Sequence, residues 1–395
     1  MRYARLFVMA VMMLAALGCR EKKKTDIVQA EGMPTPVAAG DTILVGHVSS
    51  MTGNEAHFGQ SVDNGTKLAI GEQNEKNGVK GKKIVLKTLD DQGKAEEAAV
   101  AATRLITEDH ATVLLGEVTS TRSLAMAAIA DSNHVPMVSS GATNPRVTKD
   151  GDKTRPYVFR ICFLDNFAGM VMAKFVHDQL KLSKVAILRD VGDDYAVGLA
   201  QFFRDTFHEL GGEIVAEQSF KSGEQDFKAQ LTAIRARNPE LIYLPGYYGE
   251  VALIARQARE LGIKQPFAGG DGWDSGRLYE IAKGALDGSY FSTHYSSEDP
   301  SPVVRDFIGR YKAVYGSPPD TAAVLGYDAA KLALDAMGRA KELTGPSIRE
   351  ALEQTKGFQG VTGAITIDAD HNPIKTAVIM KIEQNKAKYT SSVAP

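Results

Sequence analysis

Two hydroxyl-rich segments have residue types that could bind an anion. Thr119-Ser120-Thr121 lies between a predicted strand and a predicted helix, and Ser140-Gly141-Ala142-Thr143 follows the next strand. Hydroxyls and free N–H groups at a helix N-terminus favour a negative charge. Glycine at position 141 would let a ligand approach the backbone closely. Helix capping is the alternative role for these residues, and both roles can hold at once.

The second half of the chain offers a carboxylate. Asp271 follows the predicted strand Phe267–Ala268 and lies between two glycines, where it could accept hydrogen bonds from an ammonium group. Tyr195 and Tyr247 also follow strands of this half. A tyrosine hydroxyl can bond a polar group while its ring packs on aliphatic carbons. The alternatives are a turn aspartate and ordinary packing of helix against sheet.

The elements that must position these residues alternate between strand and helix in two series. Apolar runs predict strands in each series at 43–48, 83–89, 112–115 and 135–139, and then at 185–189, 213–219, 241–244 and 267–268. Helical patterns separate them, which predicts parallel sheets with helices on both faces. Two series predict two doubly wound lobes. Ligands bind at the carboxyl ends of such strands, so we expect a cleft between the lobes.

The first nineteen residues predict an export signal. Arg2 and Arg5 precede an apolar run over 6–17 that is too short to span a bilayer. Gly18-Cys19 comes just after Ala15, Ala16 and Leu17 and resembles a bacterial lipobox, which implies lipidation of Cys19. Ala16 stands where leucine is usual, so ordinary signal-peptidase cleavage is the alternative. A short helix of a cytosolic protein is a further alternative. The polar stretch 20–40 predicts a flexible tether.

Composition excludes several classes of protein. The chain has 395 residues, with 46 Lys and Arg against 48 Asp and Glu, so a nucleic-acid partner is not expected. Two cysteines rule out a disulfide framework and a Cys-rich metal site. No two histidines lie four residues apart, and no phosphate-binding loop or nucleophile motif occurs. We therefore expect no metal, no cofactor and no enzymatic activity.

Several segments, in order along the chain, resemble one family. They are Met51-Thr52-Gly53, Asn77-Gly78-Val79-Lys80-Gly81, Leu115–Ser120, Ser139–Pro145, Tyr157-Val158-Phe159-Arg160, Gly246–Glu250 and Gly270-Asp271-Gly272. Over 43–382 the chain is similar to the branched-chain amino acid (Leu/Ile/Val) binding proteins of ABC transporters. The resemblance implies a type I periplasmic-binding fold, with two lobes joined by a multi-strand hinge. It also implies closure on an amino acid and delivery to a membrane permease by a monomer.

The resemblance also implies roles for individual residues. The ligand's α-carboxylate would be held by Thr119, Ser120, Gly141, Ala142 and Thr143. Asp271 matches the family's acidic ammonium ligand, where glutamate is usual, and Phe58 matches an aromatic over the ligand. From their places after second-lobe strands, Tyr195 and Tyr247 are expected to wall the side-chain site, and the lone tryptophan, Trp273, close to Asp271, is expected to roof it. His294 and Tyr295 are weaker candidates near the crossover between lobes.

We expect five segments with the following bounds. They are a lipoprotein signal peptide at 1–19, a tether at 20–40, a first lobe at 41–161 plus 294–360, a second lobe at 162–293 plus 361–386, and a tail at 387–395. A ligand sensor with the same fold and a cleft enzyme remain alternative functions. The ligand also stays open, because related proteins bind other amino acids, amides, urea or small aromatic acids.

Overall fold

The computed structural model of the protein describes Gly40 and residues 42–395. The predicted signal peptide, its lipidation site Cys19 and nearly all of the predicted tether lie outside the described residues. Among the residues that the structure describes, no helix is both long enough and apolar enough to cross a membrane.

The first lobe is built on a five-stranded parallel sheet. Its elements are β1 (Thr42–Ser49), α1 (Ala56–Glu75), β2 (Lys83–Asp90), α2 (Ala95–Thr107), β3 (Val113–Leu115), α3 (Ser120–Ser132), β4 (Met137–Ser139), β5 (Lys149–Asp150), β6 (Lys153–Thr154) and β7 (Val158–Arg160). The order of strands in the sheet is β2-β1-β3-β4-β7. Strand β3 is buried throughout because helices cover both faces of the sheet. Strands β5 and β6 form a separate antiparallel pair.

The second lobe continues the same alternation of strand and helix. A π-helical turn, Phe175–Gln179, extends its first helix, and a 3-10 turn, Asp271–Trp273, follows its fourth strand. The elements are α4 (Asp165–Lys174), β8 (Lys184–Asp190), α5 (Asp194–Glu209), β9 (Glu213–Phe220), α6 (Lys228–Ala236), β10 (Leu241–Tyr243), α7 (Tyr248–Glu260), β11 (Phe267–Gly269), α8 (Gly276–Ala282) and β12 (Tyr290–Thr293).

After β12 the chain returns to the first lobe and then crosses back. The returning elements are α9 (Pro302–Tyr315), α10 (Thr321–Arg339), α11 (Gly345–Glu353), β13 (Phe358–Gly360) and β14 (Gly363–Ile365). Ser301 caps α9, with Pro302 at its first position, and Gly316 ends it at φ 77°. Strands β15 (Ala377–Glu383) and β16 (Lys386–Val393) then complete a second-lobe sheet in the order β16-β15-β12-β11-β10-β8-β9.

Two expected bounds are wrong at the C-terminus. The predicted tail, 387–395, contains β16, which pairs with β15 along its length at the edge of the second sheet. The start of the last second-lobe segment also comes later than expected. Val361, Ile365 and Ile367 pack in the first-lobe core rather than in the second lobe, so the chain crosses back after residue 367.

Helices α1 and α10 pack closely enough for their backbones to touch. A Cβ on Gly65 would overlap the carbonyl oxygen of Ala323, and one on Gly326 would overlap the carbonyl of Val62. Only glycine fits at such a crossing. This contact ties the returning segment to the first helix of the lobe and fixes the start of α10, which borders the cleft.

Candidate ligand-binding site

A cavity lies between the two lobes, and the centre of a water-sized sphere can occupy about 30 Å³ of it. Eight of the nine predicted ligand residues line it, and they come from both lobes. The eight are Phe58, Thr119, Ser120, Gly141, Thr143, Tyr195, Tyr247 and Asp271.

The first lobe contributes a surface suited to an anion. Helix α3 begins at Ser120, and the first N–H groups of a helix have no acceptor within it. The Ser120 hydroxyl oxygen accepts from the Asn144 N–H at 3.1 Å, which leaves its own proton free to donate. The Thr143 hydroxyl is buried and makes no hydrogen bond of normal length, although it lies close enough to Asp165 to oppose the rise that burial causes in the pKa of that carboxyl. These donors face a shared cavity and could bind a carboxylate.

The structure qualifies the predicted carboxylate-binding roles of three neighbouring residues, Thr119, Gly141 and Ala142. Thr119 borders the cavity, but its hydroxyl donates to Glu117 Oε2 at 2.6 Å and is not free for a ligand. Ala142 does not line the cavity, so its predicted ligand role is not supported. Its carbonyl faces away and accepts from Arg160 Nη1 at 2.5 Å. A Cβ on Gly141 would lie 2.8 Å from Val118 Cγ2, so glycine is needed there for packing as well.

The second lobe contributes a carboxylate with one oxygen committed and one free. His294 Nε2 lies 3.0 Å from Asp271 Oδ2, whereas Oδ1 is buried without a partner. Burial lowers the pKa of His294, which favours its neutral form. A carboxylate can only accept, so Nε2 carries the ring proton and donates it. Phe163 stacks on the imidazole with ring centroids 3.7 Å apart and fixes its orientation.

Tyr195 supports the loop that carries Asp271. Its hydroxyl oxygen accepts from the Gly272 N–H at 3.1 Å, and its ring stacks on Tyr247 with centroids 5.3 Å apart. Burial raises the pKa of Tyr195 well above its ordinary value, and the Asp271 carboxylate adds to that shift. The phenol therefore stays neutral. A Cβ on Gly270 would overlap this phenol, which explains the glycine before Asp271.

An apolar wall completes the cavity. Phe58 comes from the first lobe, yet its ring packs against Tyr248 of the second lobe at 5.0 Å between centroids. Val118, Ala322 and Leu325 lie on the same lining. Trp273 does not roof the cavity as expected. It is fully buried, and its indole N–H donates to the Leu244 carbonyl at 3.0 Å.

Two polar residues on the lining, Asp274 and Thr321, were not predicted. Asp274 Oδ2 accepts from Thr293 at 2.5 Å and from Thr321, across the lobe boundary, at 2.6 Å. Burial raises the pKa of Asp274 to about 6, while the two threonine hydroxyls act in the opposite direction. Asp274 lies three residues after Asp271, just beyond the segment Gly270-Asp271-Gly272 that the sequence singled out. Thr321 begins a helix far along the chain and carries no signal of its own.

Direct hydrogen bonds show that the two lobes are closed on each other. The Tyr248 hydroxyl of the second lobe donates to the Asn54 carbonyl of the first at 2.7 Å. Thr121 Oγ1 of the first lobe donates to Asp193 Oδ2 of the second at 3.0 Å. Asn144 Nδ2 donates to the Asp194 carbonyl at 2.8 Å. The cavity is therefore enclosed by contacts that exist only in the closed arrangement.

Comparison with known proteins decides the family. The family model described as periplasmic binding protein matches residues 42–388. The chain belongs to this family. The protein is also similar to the Leu/Ile/Val-binding protein BraC3 of Rhizobium johnstonii. The two are 34% identical over 267 residues, which cover 68% of this chain and 71% of that one.

Solved structures of family members resemble the protein over nearly its whole described length. The leucine binding protein of Thermotoga maritima is 39% identical, with a TM-score of 0.85, and the match covers 89% of this chain and 99% of that one. The branched-chain amino acid transporter substrate binding protein of Streptococcus pneumoniae, solved with isoleucine, is 34% identical with a TM-score of 0.84. That match covers 90% of this chain and 100% of the other. The type I periplasmic-binding fold and the solute-binding role are thereby confirmed.

Proposed function

We propose that this periplasmic binding protein captures an amino acid by closing its two lobes, and that branched-chain amino acids are its first candidates. The observation that carries the proposal is the pairing of unsatisfied groups across one cavity. The first lobe presents Thr143 Oγ1 and the N-terminus of α3, and the second lobe presents Asp271 Oδ1. An α-amino acid carries a carboxylate for the former and an ammonium for the latter.

The arrangement explains why a ligand would favour closure. The carboxylate donors belong to the first lobe and the ammonium acceptor to the second, so only the closed state satisfies both groups. A ligand shifts such an equilibrium by its difference in affinity for the two states. No bond of the ligand is broken in this cycle, and the protein acts as a carrier and not as an enzyme.

The lining supports an aliphatic side chain. Phe58, Val118, Ala322 and Leu325 supply apolar surface next to the groups that would bind the amino acid backbone. Two similar proteins carry the names of such ligands, one as a leucine binding protein and one solved with isoleucine. We infer that leucine, isoleucine or valine fills this space.

The location and partners rest on the sequence and on the family. We propose that the protein works outside the cytoplasm as a monomer, that residues 1–19 direct its export, and that Cys19 carries a lipid anchor. Its partner would be the membrane permease of an ABC transporter. Mass spectrometry of the protein from its membrane fraction tests the anchor: an intact signal peptide, or cleavage without lipid at Cys19, would contradict it.

A thermal-shift screen tests the ligand class. The protein is unfolded and refolded to remove bound ligand and is then tested with the twenty amino acids, small amides, urea and aromatic acids. Ligand at 100 times its Kd stabilises the folded state by about 2.7 kcal/mol, which raises Tm by a few degrees. We expect the largest shift with leucine, isoleucine or valine. A shift only with ligands that lack an ammonium group would refute the proposed site chemistry.

A further inference from the structure

Arg160 is a buried charge with no acidic partner at ion-pair distance among the described residues. It ends β7 and is fully buried. Its guanidinium donates to the Ala142 carbonyl at 2.5 Å, to the Thr148 hydroxyl at 3.2 Å and to the Pro145 carbonyl at 3.4 Å, and Nε has no partner. All its acceptors are neutral groups of one loop.

Such a charge is costly unless something offsets it. Burial lowers the pKa of Arg160, but a guanidinium remains protonated in proteins. Asp165, Cys162 and Asp368 lie near enough to act on Arg160 through their charge. Burial raises the pKa of Asp165 well above its ordinary value and raises the pKa of the Cys162 thiol to about 12. Among the described residues none of these groups forms an ion pair with Arg160, so no carboxylate contacts its guanidinium directly.

The loop bonded by Arg160 borders the ligand cavity on its other side. The Ala142–Thr143 peptide is trans, and in a trans peptide the C=O and N–H point in opposite directions. The Ala142 carbonyl faces Arg160, so the Thr143 N–H points away from it. Thr143 lines the cavity, and its N–H makes no hydrogen bond to any described protein group. A charge at the carbonyl polarises the peptide and makes this N–H a stronger donor.

We propose that Arg160 is a positioning residue for the ligand's carboxylate. It fixes the Ala142–Thr143 peptide with the N–H directed into the cavity, and its charge is offset when a carboxylate binds on the opposite side. The inference rests on the proposed function, because it takes the anion that binds beyond this peptide to be the α-carboxylate of the bound amino acid. It also explains why Ala142 lies beside the site without touching the cavity.

The test compares a ligand that has the carboxylate with one that lacks it. Calorimetry measures the Kd of L-leucine and of L-leucinamide for the wild type, R160Q and R160K, with the exposed Arg237→Gln as the control. We expect R160Q to raise the Kd of leucine about tenfold or more and the Kd of leucinamide by under about threefold, as loss of a charge-assisted interaction implies. R160K should recover part of the difference. Equal weakening of both ligands would show a purely structural anchor and overturn the proposal.

A second measurement needs no ligand. In the ligand-free protein, the Thr143 amide proton should resonate further upfield in R160Q than in the wild type, with R160K between them. An unchanged Thr143 shift would overturn the proposal. If the wild type bound neither compound, the proposed function would be wrong, while this shift would still decide whether Arg160 polarises the peptide. If circular dichroism shows that R160Q does not fold, both measurements are made on R160K instead. Loss of all preference for leucine over leucinamide in R160K would refute the charge role.

Discussion

Replacing Asp271 by asparagine should abolish tight amino acid binding for a reason visible in the structure. His294 Nε2 donates to Asp271 Oδ2, and Oδ1 is the free oxygen. In D271N the amide oxygen would turn to His294, because Nε2 is a donor. The NH2 group would then take the place of Oδ1 and oppose the ligand's ammonium. The substitution thus exchanges an ionic acceptor for a donor without changing the size of the side chain.

The magnitude follows from the burial of the site. The Asp271 side chain is 13% exposed and that of His294 is 0% exposed. Removing one partner of a buried, hydrogen-bonded charge pair costs about 2–5 kcal/mol. At about 1.4 kcal/mol for each factor of ten, Kd rises by about 30-fold to several thousandfold.

Calorimetry with L-leucine on refolded protein measures this change. D226N is the matched control, because Asp226 is an exposed aspartate of the same lobe. The compound 4-methylpentanoate has the leucine skeleton without the ammonium, so D271N should not weaken the binding of this compound. Leucine affinity in D271N within about threefold of the wild type would refute the ammonium role, since that change is under about 1 kcal/mol.

Three other perturbations test separate parts of the account. T143V should raise the Kd of leucine about tenfold by calorimetry, whereas T143S should bind leucine nearly as tightly as the wild type because it keeps the hydroxyl. An equal loss of affinity in both variants would contradict this role of the hydroxyl. G65A should lower the free energy of unfolding in urea by about 1–3 kcal/mol through overpacking against α10, whereas G71A, on the same helix with open space, should not. Burial raises the pKa of Glu55 from 4.5 to about 7, with Arg122 acting against the shift. The folded protein then binds more protons than the unfolded chain between those values, so stability falls as pH rises through that window, by up to about 1–3 kcal/mol. E55Q should flatten this dependence in urea titrations at several pH values, and an unchanged slope would count against it.

The alternation of strand and helix could be predicted because each element carries its own periodicity. The site could be predicted for a related reason: residues that follow parallel strands meet at one edge of a sheet. Ser120, Thr143 and Asp271 all follow strands and all reach the cavity. Ala142 could not be separated from its neighbours in this way. Its carbonyl accepts hydrogen bonds from Arg160, at the end of β7, and from Cys162 just after it, and nothing in the sequence near Ala142 indicates these contacts.

The place of Trp273 and the pairing of His294 with Asp271 also depend on contacts between segments that are distant or not linked by any local pattern in the sequence. Trp273 lies two residues after Asp271, which suggested a role over the ligand. Its indole instead lies over Gly269, where a Cβ would overlap the ring, so the missing side chain leaves room for it in the core. His294 pairs with Asp271 from a neighbouring strand, and no local pattern in the sequence links the two residues.

The C-terminal strand was missed because it is an edge strand. Strand β16 is largely exposed, and its sequence, KAKYTSSV, lacks a run of apolar residues. It is held by pairing with β15 through a turn in which Gln384 and Asn385 both have positive φ, at 52° and 59°. Such a turn suits the twist of a hairpin. Pairing of this kind depends on the partner strand and not on the strand's own composition.

The central claim is that one lobe binds the carboxylate and the other the ammonium of the same amino acid. Calorimetry on the refolded wild-type protein with L-leucine, L-leucinamide and 4-methylpentanoate tests it most directly. The account predicts that leucine binds and that each analogue, lacking one charged group, binds about 30-fold or more weakly, as for a buried charge left unpaired. Binding of 4-methylpentanoate or leucinamide as tight as that of leucine would contradict it.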